Sequence, residues 1–146
     1  MELLKQLEKE AQPLNFPKIV DGAVKFLRKN IKHYNWVGVY MIEGEELVLR
    51  AWDGPEATQH VRIPIGAGIC GLAAREKRTI IVGDVNADPR YLACFPYTRS
   101  EIVVPIFKDG KVIGEIDIDS DTLHAFTEKD RSFLEQVANF LGNQHR

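Results

Sequence analysis

The chain has 146 residues and a mass of 16.6 kDa, the size of one ordinary domain, with no room for a second. Its 45% hydrophobic and 27% charged residues suit a globular protein and exclude a disordered tail or a fibrous repeat. Lys and Arg number 19 against 21 Asp and Glu, and the densest basic cluster is Arg75, Lys77 and Arg78, so a phosphate-neutralising nucleic-acid binder is not expected.

Residues 1–9 mix Leu with Glu and Lys, without the apolar core of a leader peptide, and no later run is apolar for long enough to span a bilayer. A cytoplasmic protein with no membrane contact is expected. Leu3, Leu4 and Leu7 share one helical face, and after Pro13 a second amphipathic pattern runs through Ile19, Val20, Ala23, Val24, Leu27 and Ile31. Pro17 falls in its first turn, where a missing N–H is harmless. From Trp36 the period changes. Residues 36–42 and 46–51 read as a hairpin, and residues 60–63 as a short third strand closed by Pro64. A short helix over 71–77 and a strand over 79–82 follow, then a loop over 83–99 punctuated by Asp88-Pro89 and Pro96.

A second hairpin, 101–107 with 111–120, turns on Asp109-Gly110, the strongest short-range hairpin signal in the chain. The last element is a helix capped by Thr127, with Asp130 three residues on and Phe133, Leu134, Val137, Phe140 and Leu141 as its apolar stripe. Helices at both ends of hairpin-connected strands predict an α+β fold: a central antiparallel sheet with the N- and C-terminal helices packed on one face. A single domain over 1–146 is expected, and a homodimer through the terminal helices is compatible with it.

Two residue types carry the chemistry. Cys70 and Cys94 are too few for a disulfide scaffold and too far apart for a CxxC motif. An isolated cysteine is most often a small buried hydrophobe. Cys70 lies beside a helix N-terminus, where the macrodipole favours a thiolate, although the same glycine-flanked context suits a packing residue. Glu115, Asp117 and Asp119 alternate with Ile116 and Ile118, so the three acids share one strand face. That is either a solvated face over an isoleucine core or a set of mutually repelling carboxyls with raised pKa. A divalent-cation site needs more ligands than one strand supplies, and His60 and His124 have no metal-ligand spacing.

The order of elements, with Gly66-Ala67-Gly68-Ile69-Cys70-Gly71 opening a helix, Gly83-Asp84-Val85 mid-chain and Gly110-Lys111-Val112-Ile113-Gly114 late, resembles a GAF domain. Within that superfamily the chain is similar to the free methionine-(R)-sulfoxide reductases. The segments that carry this are Asn35-Trp36-Val37-Gly38-Val39-Tyr40, Val61-Arg62-Ile63-Pro64, Gly68-Ile69-Cys70-Gly71, Ala93-Cys94, Ser100-Glu101-Ile102-Val103-Val104-Pro105 and Asp117-Ile118-Asp119-Ser120.

The resemblance implies thiol-dependent reduction of free L-methionine (R)-sulfoxide. Cys94 is the expected nucleophile, Cys70 the second thiol, and Glu101, Asp117 and Asp119 line the substrate pocket and supply the proton. Trp36, with Tyr40 four residues on and on the same strand face, is expected beside the methyl thioether end of the substrate. Thioredoxin is the expected external reductant, with no metal or organic cofactor. Many members carry a third cysteine just before Val-Arg-Ile-Pro, where this chain has His60. A non-catalytic GAF sensor or binding module is the alternative, and it predicts inert cysteines.

One conflict is visible in the sequence. A two-residue turn at Asp109-Gly110 pairs Lys108 with Lys111 and therefore Glu101 with Ile118, on the face opposite Asp117. An extra residue in one strand, at Pro105 or as a glycine bulge at Gly110, would bring Glu101 to the acid face.

Overall fold

A computed structural model describes residues 2–11, 14–93 and 95–145. The elements run α1 (Glu2–Ala11), α2 (Phe16–Asn30), β1 (Trp36–Glu43), β2 (Glu46–Asp53), β3 (Arg62–Pro64), α3 (Gly68–Glu76), β4 (Ile80–Val82), a 3-10 turn (Val85–Ala87), β5 (Ser100–Lys108), β6 (Lys111–Ser120) and α4 (Glu128–Gln144). The six strands form one antiparallel sheet in the order β3-β2-β1-β6-β5-β4. The two long strands that carry the acids, β5 and β6, are thereby central or next to central.

The starts of α2 and α4 have local causes. Asn15 accepts from the Lys18 N–H at 3.2 Å at the head of α2. Thr127 and Asp130 form the reciprocal capping box expected from sequence at the head of α4. The Asp130 carboxylate also accepts from the Tyr34 hydroxyl at 2.7 Å, tying the entry of β1 to the start of α4.

Side-chain alternation in β1, β5 and β6 divides the interior in two. Val37, Val39, Ile102, Val104, Ile106, Ile116 and Ile118 point towards α1, α2 and α4 and meet Leu27, Phe133, Leu134, Val137 and Leu141. Each such large apolar side chain contributes roughly 1.5–3 kcal/mol by leaving water. The opposite face carries Tyr40, Ile80, Val82 and Val103, covered by Ile69, Cys70, Leu72 and Ala73 of α3. The terminal helices thus lie on one face as expected, with α3 forming a third layer on the other.

Several boundaries differ from expectation by one to three residues. Strand β3 begins at Arg62 rather than His60, β4 at Ile80 rather than Thr79, β2 runs on to Asp53, and α3 begins at Gly68, so Cys70 is inside the helix rather than ahead of it. The register conflict between Glu101 and Asp117 is also resolved. Asp109 and Gly110 both have positive φ, 52° and 78°, a two-residue turn that pairs Lys108 with Lys111. Phe107 then pairs with Val112 but Ile106 with Gly114, so Ile113 is the extra residue. The bulge lies in β6 at Ile113, not at Pro105 or Gly110, and from there on Glu101 faces Asp119 directly.

Candidate functional site

The sheet register assembles a line of acids across two strands. Glu101 pairs with Asp119, and Val103 with Asp117; on the other side Trp36 pairs with Asp119, Gly38 with Asp117 and Tyr40 with Glu115. Cross-strand partners point to the same face, so Glu101, Glu115, Asp117, Asp119, Trp36 and Tyr40 all project towards α3. From α3, Cys70 reaches back to the acids, with its Sγ 3.9 Å from Glu101 Oε2. Glu115 is 0% exposed, and Asp117 and Asp119 1% each. These acids therefore form a buried cluster, and the solvated-face reading of the alternation is overturned.

Burial outweighs the hydrogen bonding that opposes it and sets the protonation of the cluster. Both oxygens of Glu115, both of Asp119 and Oδ1 of Asp117 have no hydrogen-bond partner among the described residues. Desolvation disfavours the charged form. It pushes Glu115 and Asp119 well above the ordinary carboxylate range, each raised further by neighbouring Asp117, and it raises Asp117 as well. The Cys70 thiol is pushed well above its ordinary value, first by burial and then by Asp117, Glu115, Glu101 and Asp119. The helix N-terminus was expected to favour a thiolate there; four surrounding carboxyls and the loss of water outweigh it, and Cys70 is a protonated thiol.

An aromatic wall flanks the acids. The Trp36 indole is buried, donates from Nε1 to the Glu56 carbonyl at 3.1 Å, and lies against Trp52 and Phe95 with ring centroids 6.3 and 5.7 Å away. Two glycines make room for it: a Cβ at Gly38 would fall 2.5 Å from the indole ring, and one at Gly54 2.2 Å. The Tyr40 hydroxyl donates to the His60 carbonyl at 2.9 Å. His60 Nε2 lies 2.8 Å from the Ala93 carbonyl, so Nε2 is the ring nitrogen that carries the hydrogen and donates.

The expected nucleophile, Cys94, lies outside the described residues. Its chain neighbours are placed: Ala93 receives the His60 bond, and Phe95 packs on Trp36. Between Cys70, Glu101, Ile63, Ala67 and Leu92 there is a cavity of about 10 Å³, room for about one water. Trp52 and Phe95, which pack on Trp36, and His60, which links Tyr40 to Ala93, were not among the expected site residues. The closely spaced aromatics Phe95 and Tyr97 in the loop were the available signal.

Three ligand atoms, one each from Cys70, Glu101 and Asp117, lie within 4.8 Å of one another. They come from α3, β5 and β6, so the objection that one strand supplies too few ligands does not apply to this site. No helix among the described residues is long and apolar enough to cross a membrane.

Comparison with known proteins agrees with the geometry. The GAF domain family model matches residues 15–144. A protein of Saccharomyces cerevisiae named free methionine-R-sulfoxide reductase is 43% identical over 131 residues, which is 87% of this chain and 70% of that protein. Among solved structures, a free methionine-R-sulfoxide reductase from Neisseria meningitidis in complex with its substrate superimposes with a TM-score of 0.92 at 38% identity, over 98% of this chain and 86% of that one. A type II free methionine-R-sulfoxide reductase from Thermoplasma acidophilum gives 0.83 at 38% identity, over 97% and 94%.

Proposed function

This chain belongs to the free methionine-R-sulfoxide reductase family of GAF domains, and we propose that it reduces free L-methionine (R)-sulfoxide to L-methionine in the cytoplasm. The observation that carries the reading is the convergence of Glu101, Asp117 and Asp119 on one buried face beside the Trp36 wall. A sulfoxide oxygen becomes basic as its sulfur is attacked, and it needs a proton donor that is still protonated at neutral pH. Ordinary surface carboxylates are not; desolvation holds Asp119 well above their range and favours its neutral form.

In the proposed reaction the Cys94 thiolate attacks the sulfoxide sulfur while the acid cluster protonates the oxygen, which passes to Cys94 as a sulfenic acid and releases methionine. Cys70 then condenses with that sulfenic acid, giving a Cys70–Cys94 disulfide and water. Thioredoxin reduces the disulfide by thiol exchange, so two electrons from the external dithiol balance the oxygen removed. In this scheme the methyl thioether end of the substrate lies against Trp36 and Tyr40, and an acid that ionises accepts from its ammonium group. A peptide-bound residue lacks that ammonium and brings flanking chain, so the free amino acid is preferred. The cavity of about 10 Å³ is too small for an amino acid of this size, so Leu92, which lines it, moves aside on binding. No metal or organic cofactor enters the scheme.

The test is a thioredoxin-coupled NADPH assay comparing free methionine (R)-sulfoxide, its (S) epimer and a peptide-bound sulfoxide. Turnover confined to the free (R) epimer is expected. A ligand bound without turnover, with both cysteines unoxidised, would return the chain to a binding module.

A further inference from the structure

We propose that Cys70, Glu101 and Asp117, backed by Glu115, form a binding site for a thiophilic divalent cation, Zn²⁺ or its probe Cd²⁺. One ligand atom from each of the first three lies within 4.8 Å of the others, and Cys70 Sγ is 3.9 Å from Glu101 Oε2. With Zn–S near ~2.3 Å and Zn–O near ~2.0–2.2 Å, tetrahedral ligands stand roughly 3.5 Å apart. The set therefore has to contract by about an ångström, within reach of carboxyl rotation about the side-chain torsions. The ligands come from a helix and two strands, so they surround a point rather than line one edge.

Glu115 points independently to a ligand here. It is fully buried, both its oxygens are without a hydrogen-bond partner among the described residues, it interacts electrostatically with Cys70, and the reduction proposed above makes no use of it. A carboxyl left in that state is costly unless something sits against it. A cation beside Cys70 satisfies Glu115 directly or through its second coordination sphere.

The donor chemistry selects the ion. A thiolate sulfur disfavours Mg²⁺ and Ca²⁺, which take oxygen ligands, and carboxylate oxygens disfavour Cu⁺; a mixed sulfur and oxygen set suits Zn²⁺ and Cd²⁺. The ion displaces the proton of the Cys70 thiol and one carboxyl proton, forming one metal–sulfur bond and one metal–oxygen bond to that carboxylate while the other ligand carboxyl coordinates through its carbonyl oxygen, and releasing both protons to solvent. The charge of the cluster is then unchanged, and the remaining acids stay protonated as hydrogen-bond donors. The cavity of about 10 Å³ beside Cys70 and Glu101 admits an ion though not an amino acid.

The ion occupies acids that the proposed reaction assigns to the substrate, so Zn²⁺ is expected to inhibit the reductase competitively. That consequence rests on the proposed function; the binding does not. The experiment is a Cd²⁺ titration of the full chain, reduced and freed of thiol reductant, without substrate, read by the ultraviolet thiolate-to-Cd²⁺ charge-transfer band and by calorimetry. One equivalent is expected to bind, with the band lost in Cys70→Ser, kept in Cys94→Ser, and affinity weakened at least tenfold in Glu115→Gln. The cadmium NMR shift of the wild type reports one sulfur among oxygen donors without any substitution, which covers a variant that fails to fold. No band at one equivalent, a band that survives Cys70→Ser and is lost in Cys94→Ser, or a shift indicating two sulfur ligands would each overturn the site. Turnover can fail while the band appears, and the band can fail while turnover proceeds, so the two readings are separable.

Discussion

Replacing Asp119 by Asn removes a titrating group and leaves its shape, which makes the stability of the variant a direct measure of what the acid cluster costs the fold. In the native state Asp119 holds its proton well above the ordinary carboxylate range, because burial has removed its water and Asp117 stands beside it. The unfolded chain releases that proton near pH ~3.9. The native state therefore binds the extra proton between the two values, and stability is fully present below the unfolded pKa and lost as pH rises through the folded one. Glu115 and Asp117 are shifted in the same direction, so the wild type weakens progressively from about pH 4 upward.

Asn imitates the protonated acid and does not titrate. At pH 3.5, below the unfolded value, variant and wild type should melt together. At pH 8 the variant should be the more stable, by about 1.4 kcal/mol for each pH unit that separates the unfolded and folded values of Asp119, which for a domain of this length is a melting-temperature gain of roughly 3–6 °C per unit. Thermal unfolding followed by circular dichroism from pH 3.5 to 8.5 measures it. A constant difference between the two proteins across that range, or an Asn variant whose stability falls with pH more steeply than the wild type's, would refute the assignment of Asp119 as a neutral buried acid.

The same residues make opposite demands on activity. Asp119→Asn and Glu101→Gln should each lower kcat/KM by about 100-fold or more with the fold intact, as measured in the coupled assay; wild-type kinetics in both would remove the acids from the reaction. Cys94→Ser should abolish even a single turnover, while Cys70→Ser should complete one and then accumulate a sulfenic acid that a cyclic diketone traps and mass spectrometry detects. Retention of the first turnover by Cys94→Ser with its loss in Cys70→Ser would exchange the two roles. Gly54→Ala, whose new Cβ would stand 2.2 Å from the Trp36 indole, should cost about 1–3 kcal/mol by overpacking and raise KM more than it lowers kcat; urea unfolding and steady-state kinetics separate the two effects.

What the sequence made legible follows the range of the interactions involved. The capping box at Thr127 and Asp130 and the turn at Asp109-Gly110 are decided by residues within a few positions, and both stand where expected. The shared face of Glu115, Asp117 and Asp119 is a consequence of strand geometry alone and was equally legible. Whether that face meets water was not, because the covering layer comes from α3, some 40 residues earlier in the chain. Cys70 was misjudged for the same reason: the helix start that favours its thiolate is adjacent, while the carboxyls that oppose it lie 31 to 49 residues away.

The register of β5 against β6 shows how little sequence signal a decisive feature can carry. The extra residue is Ile113, which is neither glycine nor proline and has high strand propensity, whereas the plausible local candidates were Pro105 and Gly110. Its placement is set by the faces it reconciles. With Lys108 opposite Lys111 at the turn, an unbroken ladder would put Glu101 beside Ile118 and turn either Glu101 or Ile102 to the wrong layer. One inserted residue lets Ile102, Val104 and Ile106 face α4 together with Ile116 and Ile118 while Glu101 joins the acids. Burying the apolar row is worth several kcal/mol, more than a local break in the ladder costs. The hydrophobic layer on one face thus forces the register that gathers the carboxyls on the other, and the site is positioned by the core behind it.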